Sequence, residues 1–215
     1  MNISTIIRVQ SNEPYIGYCI QSILDNIEDP EIIIVNDTAD KETLDIIDSF
    51  TFTDITRINL DGKYTPGYAL NRGVDEAKNE NILVLSSHCT LTKTNMVQHV
   101  LDLHKNGYVA VFGKQVPIWR GKKISQRYIW SNFIDEKAEN PFSTAEKRFF
   151  LHNAAAMYRK SVLTSYPFDG SLHTKEDRFW ANKMIREEQA KILYDPQLEC
   201  HHHWTPKGAT WTGVG

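Results

Sequence analysis

The sequence predicts an α/β fold built on a mostly parallel central sheet with helices on both faces, and three observations predict it. Short β-rich runs alternate with helical patterns through the first half. The apolar residues between those runs recur at three- and four-residue spacing. A length of 215 residues suits one ordinary domain whose core needs neither disulfides nor a structural metal.

In chain order the strand candidates are Thr5–Gln10, Glu31–Asn36, Ile55–Asn59, Asn81–Leu85 and Tyr108–Gly113. Ile16, Cys19, Ile20, Ile23 and Leu24 line one face of a helix between the first two strands; Leu44, Ile47 and Phe50 mark a second helix, and Leu70, Val74 and Ala77 a third. From Pro117 to Pro141 the alternation stops, and a run rich in Trp, Lys, Asn and Tyr reads as a long functional loop. Regularity returns with Ala154–Tyr158, a short helix before Pro167, and a longer helix starting near Lys175 with Phe179, Trp180, Met184 and Ile185 facing inward. A single domain over 1–215 is expected, with a regular first half (1–115) and a less regular second half (116–215).

A formal net charge of -3 gives no basic excess for a nucleic-acid backbone, which points to a small-molecule or glycan partner. No window reaches the roughly 18 apolar residues of a membrane helix, and the N-terminus carries Asn2, Ser4, Thr5 and Arg8 in place of a signal peptide's apolar core. The expected location is the cytoplasm, with peripheral contact at the inner face of the cell membrane. Three irregularly spaced cysteines, Cys19, Cys89 and Cys200, fit reduced thiols.

Ligands of open parallel sheets bind beyond the carboxyl ends of the strands, which singles out Ser11-Asn12-Glu13-Pro14, Asn36–Asp40 and Ser86–Cys89. Asp37 can accept from ribose hydroxyls or a base N–H, because Asp40, three residues before Thr43, is the better helix cap. Arg72 beside Asn71 can reach a phosphate or stay solvated. Glu176 and Asp177 sit at a helix start, where the dipole favours carboxylates whether or not they do chemistry. In His201-His202-His203, at most His201 and His203 share a strand face. Walker A, G-x-G-x-x-G and G-x-S-x-G sequences are absent.

These segments resemble the family 2 glycosyltransferases, which have the GT-A fold, a Rossmann-like three-layer α/β arrangement. The carrying residues are Gln10 to Glu13 after the first strand, Ile32-Ile33-Ile34-Val35-Asn36-Asp37 with Asp40 and Thr43, Gly67-Tyr68-Ala69-Leu70-Asn71-Arg72-Gly73, and Phe168-Asp169 ahead of Glu176-Asp177. The resemblance spans nearly the whole chain. It implies an inverting transferase that moves a sugar from a nucleotide-sugar donor to a hydroxyl of a glycan or lipid-linked acceptor, in bacterial-type surface polysaccharide synthesis. It also implies Asp177 as catalytic base, Asp37 at the nucleoside, and donor contacts from Gln10, Asn12, Glu13, Asn71, Arg72, Ser87 and His88.

One departure stands out. The Asp-x-Asp that holds Mn²⁺ or Mg²⁺ on the donor pyrophosphate is replaced by Ser86-Ser87-His88, which supplies no carboxylate, so the cation is in doubt. His88 is expected either to ligate a metal together with His203 or to meet the leaving phosphate directly. Trp119, Lys122, Lys123, Tyr128 and Trp130 are expected to face a sugar or an anionic lipid carrier. His152, Asn153, Trp119 and Glu176 are the acceptor-side candidates. Competing readings are a non-catalytic glycan- or nucleotide-binding protein of the same fold, and a nucleotidyltransferase.

Overall fold

The computed structural model describes residues 2–123, 130 and 132–206. Its elements are β1 (Ile3–Val9), α1 (Ile16–Asn26), β2 (Glu31–Asn36), α2 (Lys41–Asp48), β3 (Ile55–Asn59), α3 (Pro66–Glu76), β4 (Asn81–Ser86), β5 (Cys89–Leu91) and α4 (Met96–Lys105). There follow β6 (Tyr108–Trp119), β7 (Lys122–Lys123), β8 (Ala138–Glu139), β9 (Phe142–Ser143), β10 (Arg148–Phe149), β11 (Ala155–Arg159), α5 (Lys160–Ser165), α6 (Glu176–Arg186) and β12 (Lys191–His203).

One sheet dominates, in the order β3-β2-β1-β4-β11-β6-β12-β5. The pairs β1–β2, β1–β4, β2–β3 and β6–β12 are parallel, whereas β11 runs against both its neighbours and β5 against β12. The expectation of a mostly parallel sheet is therefore met, with β11 and β5 as the reversed strands of the main path.

Strict alternation along the strands builds the three layers. Ile3, Ile7 and Val9 of β1, Ile32 and Ile34 of β2, and Leu83 and Leu85 of β4 join α1, α2 and α4 in one apolar core. Their neighbours Ile6, Ile33, Val35, Ile82 and Val84 join α3, α5 and α6 in the other. Both faces of these strands are thus covered, which explains why the runs are almost continuously apolar. Asp40 accepts from the Thr43 amide at 2.9 Å and caps α2, as expected, and Thr65 caps α3 with Pro66 in its first turn.

The segment read as a long loop departs from expectation. β6 does not stop at Gly113 but continues to Trp119, because β12 pairs with it past an irregularity between Asp195 and Cys200. Gly113 makes this passage feasible, since a Cβ there would lie 1.6 Å from the Leu198 carbonyl oxygen. Trp130 is a core residue, not an exposed platform, and packs beside the equally buried Phe133. Tyr128 lies outside the described residues. Phe179, expected inward, is 46% exposed: α6 turns Asp177, Trp180, Ala181 and Met184 inward, leaving Phe179 beneath the Arg148 guanidinium on the outside.

Candidate active site

A cleft of about 810 Å³ opens beyond the carboxyl ends of β1 and β4 and is closed on one side by the start of α6. Its walls include Arg8, Gln10 to Pro14, Ser86 to His88, His152, Asn153 and Lys175 to Arg178. Two wall residues, Ser11 and Lys175, have φ of 62°, a left-handed conformation that costs a non-glycine residue about 1–3 kcal/mol. Lys175 makes no side-chain cap to α6. Glu176 and Asp177 stand in the first turn of α6, where the helix dipole favours carboxylates.

Both carboxylates turn into a buried polar network. Asp177 Oδ2 accepts from the Asn153 amide at 3.0 Å; Asp177 Oδ1 accepts from the Arg178 amide at 2.8 Å and from Arg178 Nη1 at 2.9 Å. Burial pushes the Asp177 carboxyl up, but Arg178, His152 and the two amides outweigh it, so it sits below the usual carboxylate range and stays ionised. Glu176 Oε1 accepts from Arg8 Nη1 at 3.3 Å and from Asn153 Nδ2 at 3.4 Å. Burial, then the neighbouring Asp177 charge, raises Glu176. The Tyr158 hydroxyl, in turn, donates to Asn153 Oδ1 at 2.5 Å.

Opposite this network stand histidines. Ser87 and His88 form the turn between β4 and β5, and His88 Nε2 lies 3.0 Å from His202 Nε2. Gln115 Oε1 holds His202 Nδ1 at 2.7 Å. Burial lowers His202 far below the imidazole value, with the His88 charge adding to it; His152 is lowered to about 3 by burial and then by Arg178. His152 Nδ1 accepts from the Ala154 amide at 3.1 Å, which leaves the ring proton on Nε2. The pairing of His88 with His203 does not form. Alternation along β12 sends His203 to the other face, where it stacks on Tyr15 at 4.4 Å and contacts Thr90 Oγ1 at 3.1 Å.

A sequence model of glycosyl transferase family 2 matches residues 4–166. This chain belongs to glycosyl transferase family 2. Comparison with curated protein sequences gives no match. Among solved structures the family 2 chain resembles S. aureus TarS 1-349 in complex with UDP-GlcNAc, at 18% identity and a TM-score of 0.74, covering 100% of this chain and 62% of that one. It also resembles GalNAc-T7 with UDP, GalNAc and Mn²⁺ (13% identity, TM-score 0.73, 96% and 44%). A third is the mannosyltransferase PcManGT from Pyrobaculum calidifontis with GDP-Man and Mn²⁺ (14%, 0.70, 96% and 58%). The family 2 chain thus spans less than two thirds of these structures. They share its GT-A fold.

Within this family 2 fold, Gln10, Asn12, Glu13, Ser87, His88, His152, Asn153, Glu176 and Asp177 all line the cleft. Asp37 stands at its edge, where Oδ2 accepts from Gln10 Nε2 at 3.0 Å. Asn71 and Arg72 do not line it. The Asn71 amide is spent on the backbone of Phe168, donating to its carbonyl at 2.8 Å and accepting from its N–H at 3.1 Å. Arg72 is exposed beside Asp75 at 3.9 Å. The glycine-asparagine helix therefore works as a clamp on 168–170: a Cβ on Gly67 would come within 2.5 Å of the Asp169 carbonyl oxygen. Trp119 ends β6 under the Arg120 guanidinium, outside the cleft. Arg8, Arg178 and His202 were not singled out by their sequence context. Arg8 follows Ile6 on the face of β1 that α6 covers, and only the placement of α6 brings Glu176 to it.

The Asp-x-Asp carboxylates have no counterpart here. Ser86 and Ser87 bring no carboxylate, His88 and His202 face each other, and Glu13 Oε2 is 3.9 Å from His88 Nδ1. Among the described residues the cleft holds no set of three ligand atoms at metal spacing.

Proposed function

We propose that this chain transfers a glycosyl group from a nucleotide-sugar donor to a hydroxyl of a glycan or lipid-linked acceptor, with Asp177 as the base. The observation that carries the reading is the state of Asp177: a cleft-lining carboxylate, kept ionised, with both oxygens fixed by three donors. A carboxylate accepts about four hydrogen bonds, so one position on Oδ2 remains for an acceptor hydroxyl. The hydroxyl proton passes to Asp177 while its oxygen forms a bond to the anomeric carbon. The bond from that carbon to the nucleoside phosphate breaks on the opposite side, and its electron pair leaves on the phosphate oxygen, with inversion.

Asn153 and Arg178 are the positioning residues of the base. Gln10, Asn12, Glu13 and Asp37 supply the hydrogen-bonding edge for the nucleoside, at the carboxyl ends of β1 and β2 where α/β sheets take nucleotides. His88, at the turn after β4, faces the leaving phosphate; the division into a donor half (1–115) and an acceptor half (116–215) follows this placement. A nucleotidyltransferase reading gains little, because Arg8 is already paired with Glu176. Bacterial-type surface polysaccharide synthesis is the pathway class this chemistry suits.

A thermal-shift screen of nucleoside mono- and diphosphates, followed by acceptor-dependent release of nucleoside phosphate from a panel of nucleotide sugars, tests the proposal. One nucleotide should raise the melting temperature, and its sugar conjugate should turn over at a rate unchanged by added Mg²⁺ or Mn²⁺. Binding without turnover against every acceptor class would support a non-catalytic protein of the same fold. No binding at all would remove the donor site.

A further inference from the structure

Outside the cleft, three side chains converge in a way that the transfer reaction does not use. His99 and Asp102 project from successive turns of α4, and Asp195 projects from β12 at the irregularity opposite Gly113. Their ligand atoms lie within 4.8 Å of one another, and all three side chains are buried. None of the three lines the cleft.

Each side chain is anchored by one atom and turns the other toward the cluster. Asp102 Oδ1 accepts from Gln98 Nε2 at 3.2 Å and Asn106 Nδ2 at 2.8 Å, and Asp195 Oδ1 accepts from the Gln197 amide at 3.0 Å. His99 Nε2 is 3.0 Å from Thr94 Oγ1, and the Thr94 hydroxyl spends its one proton on the Gln197 carbonyl at 2.8 Å. His99 Nε2 therefore carries a proton, which it donates to Thr94. That leaves His99 Nδ1 and Asp102 Oδ2 as buried atoms with no hydrogen-bond partner, while Asp195 Oδ2 meets only the Lys137 ammonium. His99 Nδ1 thus faces a carboxylate oxygen of Asp195 at 3.4 Å without hydrogen-bond geometry between them.

We propose that His99, Asp102 and Asp195 bind a divalent cation of the zinc class and so pin α4 to β12. One imidazole nitrogen with two carboxylate oxygens is a donor set that Zn²⁺ takes, while the hard cations prefer oxygen alone. Two ligands each about 2.0–2.1 Å from a tetrahedral ion are separated by roughly 3.4 Å, the spacing of His99 Nδ1 and Asp195 Oδ2. Gln98, Asn106, Thr94 and Gln197 hold the outer atoms, as second partners do around metal ligands. Water fills the fourth position.

Lys137 is the rival occupant. Its ammonium lies 2.8 Å from Asp195 Oδ2 and 3.9 Å from Asp102 Oδ2. It brings one charge against two carboxylates and does nothing for His99 Nδ1. Its side chain is 45% exposed, so it can turn out to solvent as the ion enters.

The test is to strip the full chain of metal, dialyse it against Zn²⁺, and measure zinc per chain by atomic emission, with the absorption bands of Co²⁺ as a ligand-field readout. One equivalent is expected in the parent chain, and a hundredfold excess over Kd raises the melting temperature by about 5–10 °C. His99→Gln should weaken binding by about tenfold or more and abolish the cobalt bands, while His88→Ala keeps both. Lys137→Met, which keeps every ligand and removes the competing charge, should bind Zn²⁺ more tightly. No retained zinc in the parent, or zinc lost in His88→Ala and kept in His99→Gln, overturns the proposal. If His99→Gln does not fold, Lys137→Met decides alone: binding no tighter than in the parent rejects the site.

Discussion

Replacing Arg178 by Met removes the guanidinium that lies 2.9 Å from Asp177 Oδ1 and 3.2 Å from Glu146 Oε1. All three side chains are at most 6% exposed, so solvent cannot take over. At an effective dielectric of 20 a contact of 2.9 Å is worth about 6 kcal/mol, offset by the desolvation of the guanidinium itself. Breaking a buried pair from one side costs about 3–5 kcal/mol, and for a chain of this size each kcal/mol is about 2–4 °C, so a fall of roughly 6–20 °C in melting temperature is expected.

The pH dependence gives the sharper signature. In the parent, Asp177 is depressed, so its stabilising contribution is present above the unfolded carboxyl value and is lost as pH falls through the folded one. Without Arg178, burial dominates and the folded value rises above the unfolded one. The penalty is then full at neutral pH and shrinks as pH falls and the carboxyl protonates. Thermal unfolding of Arg178→Met and parent between pH 5 and 8 should show the gap narrowing on acidification. A gap under about 1 kcal/mol, or one independent of pH, would refute the claim that Arg178 holds Asp177 ionised.

Three further outcomes follow from the same geometry. Gly113→Ala places a Cβ 1.6 Å from the Leu198 carbonyl oxygen, so β12 must shift off β6; urea unfolding should show a loss of roughly 3–5 kcal/mol, and a loss below 1 kcal/mol would mean the strands tolerate separation. Asp40→Ala removes the cap on α2 and should cost about 1 kcal/mol with the urea slope unchanged. His152, held at about 3, should show no ring titration by NMR between pH 5 and 8. Because its folded value lies below the unfolded one, stability is lost as pH drops below about 6.5.

The first half of the fold was legible because its strands are buried on both faces, so Ile32–Val35 and Ile82–Leu85 read directly as strands and the following turns as the cleft edge. The second half was less so. β6 and β12 are long strands whose pairing is set by Gly113 meeting Leu198, a contact between residues 85 apart that no local period announces. Trp130 looked like a ligand platform because an aromatic residue in a polar run reads alike whether it faces solvent or His202. Alternation along β12 was read correctly, but its phase was not: His202, not His203, meets His88. Asn71 was read for its chemistry, while the fold uses its amide to clamp Phe168.

The central claim is that Asp177 accepts the acceptor proton. Its most direct test is the initial rate of acceptor-dependent nucleoside phosphate release by Asp177→Asn, with donor affinity measured alongside by calorimetry. The account predicts unchanged donor binding and a rate about 10²–10⁴-fold below that of the parent. A rate within tenfold of the parent, with binding intact, would contradict it.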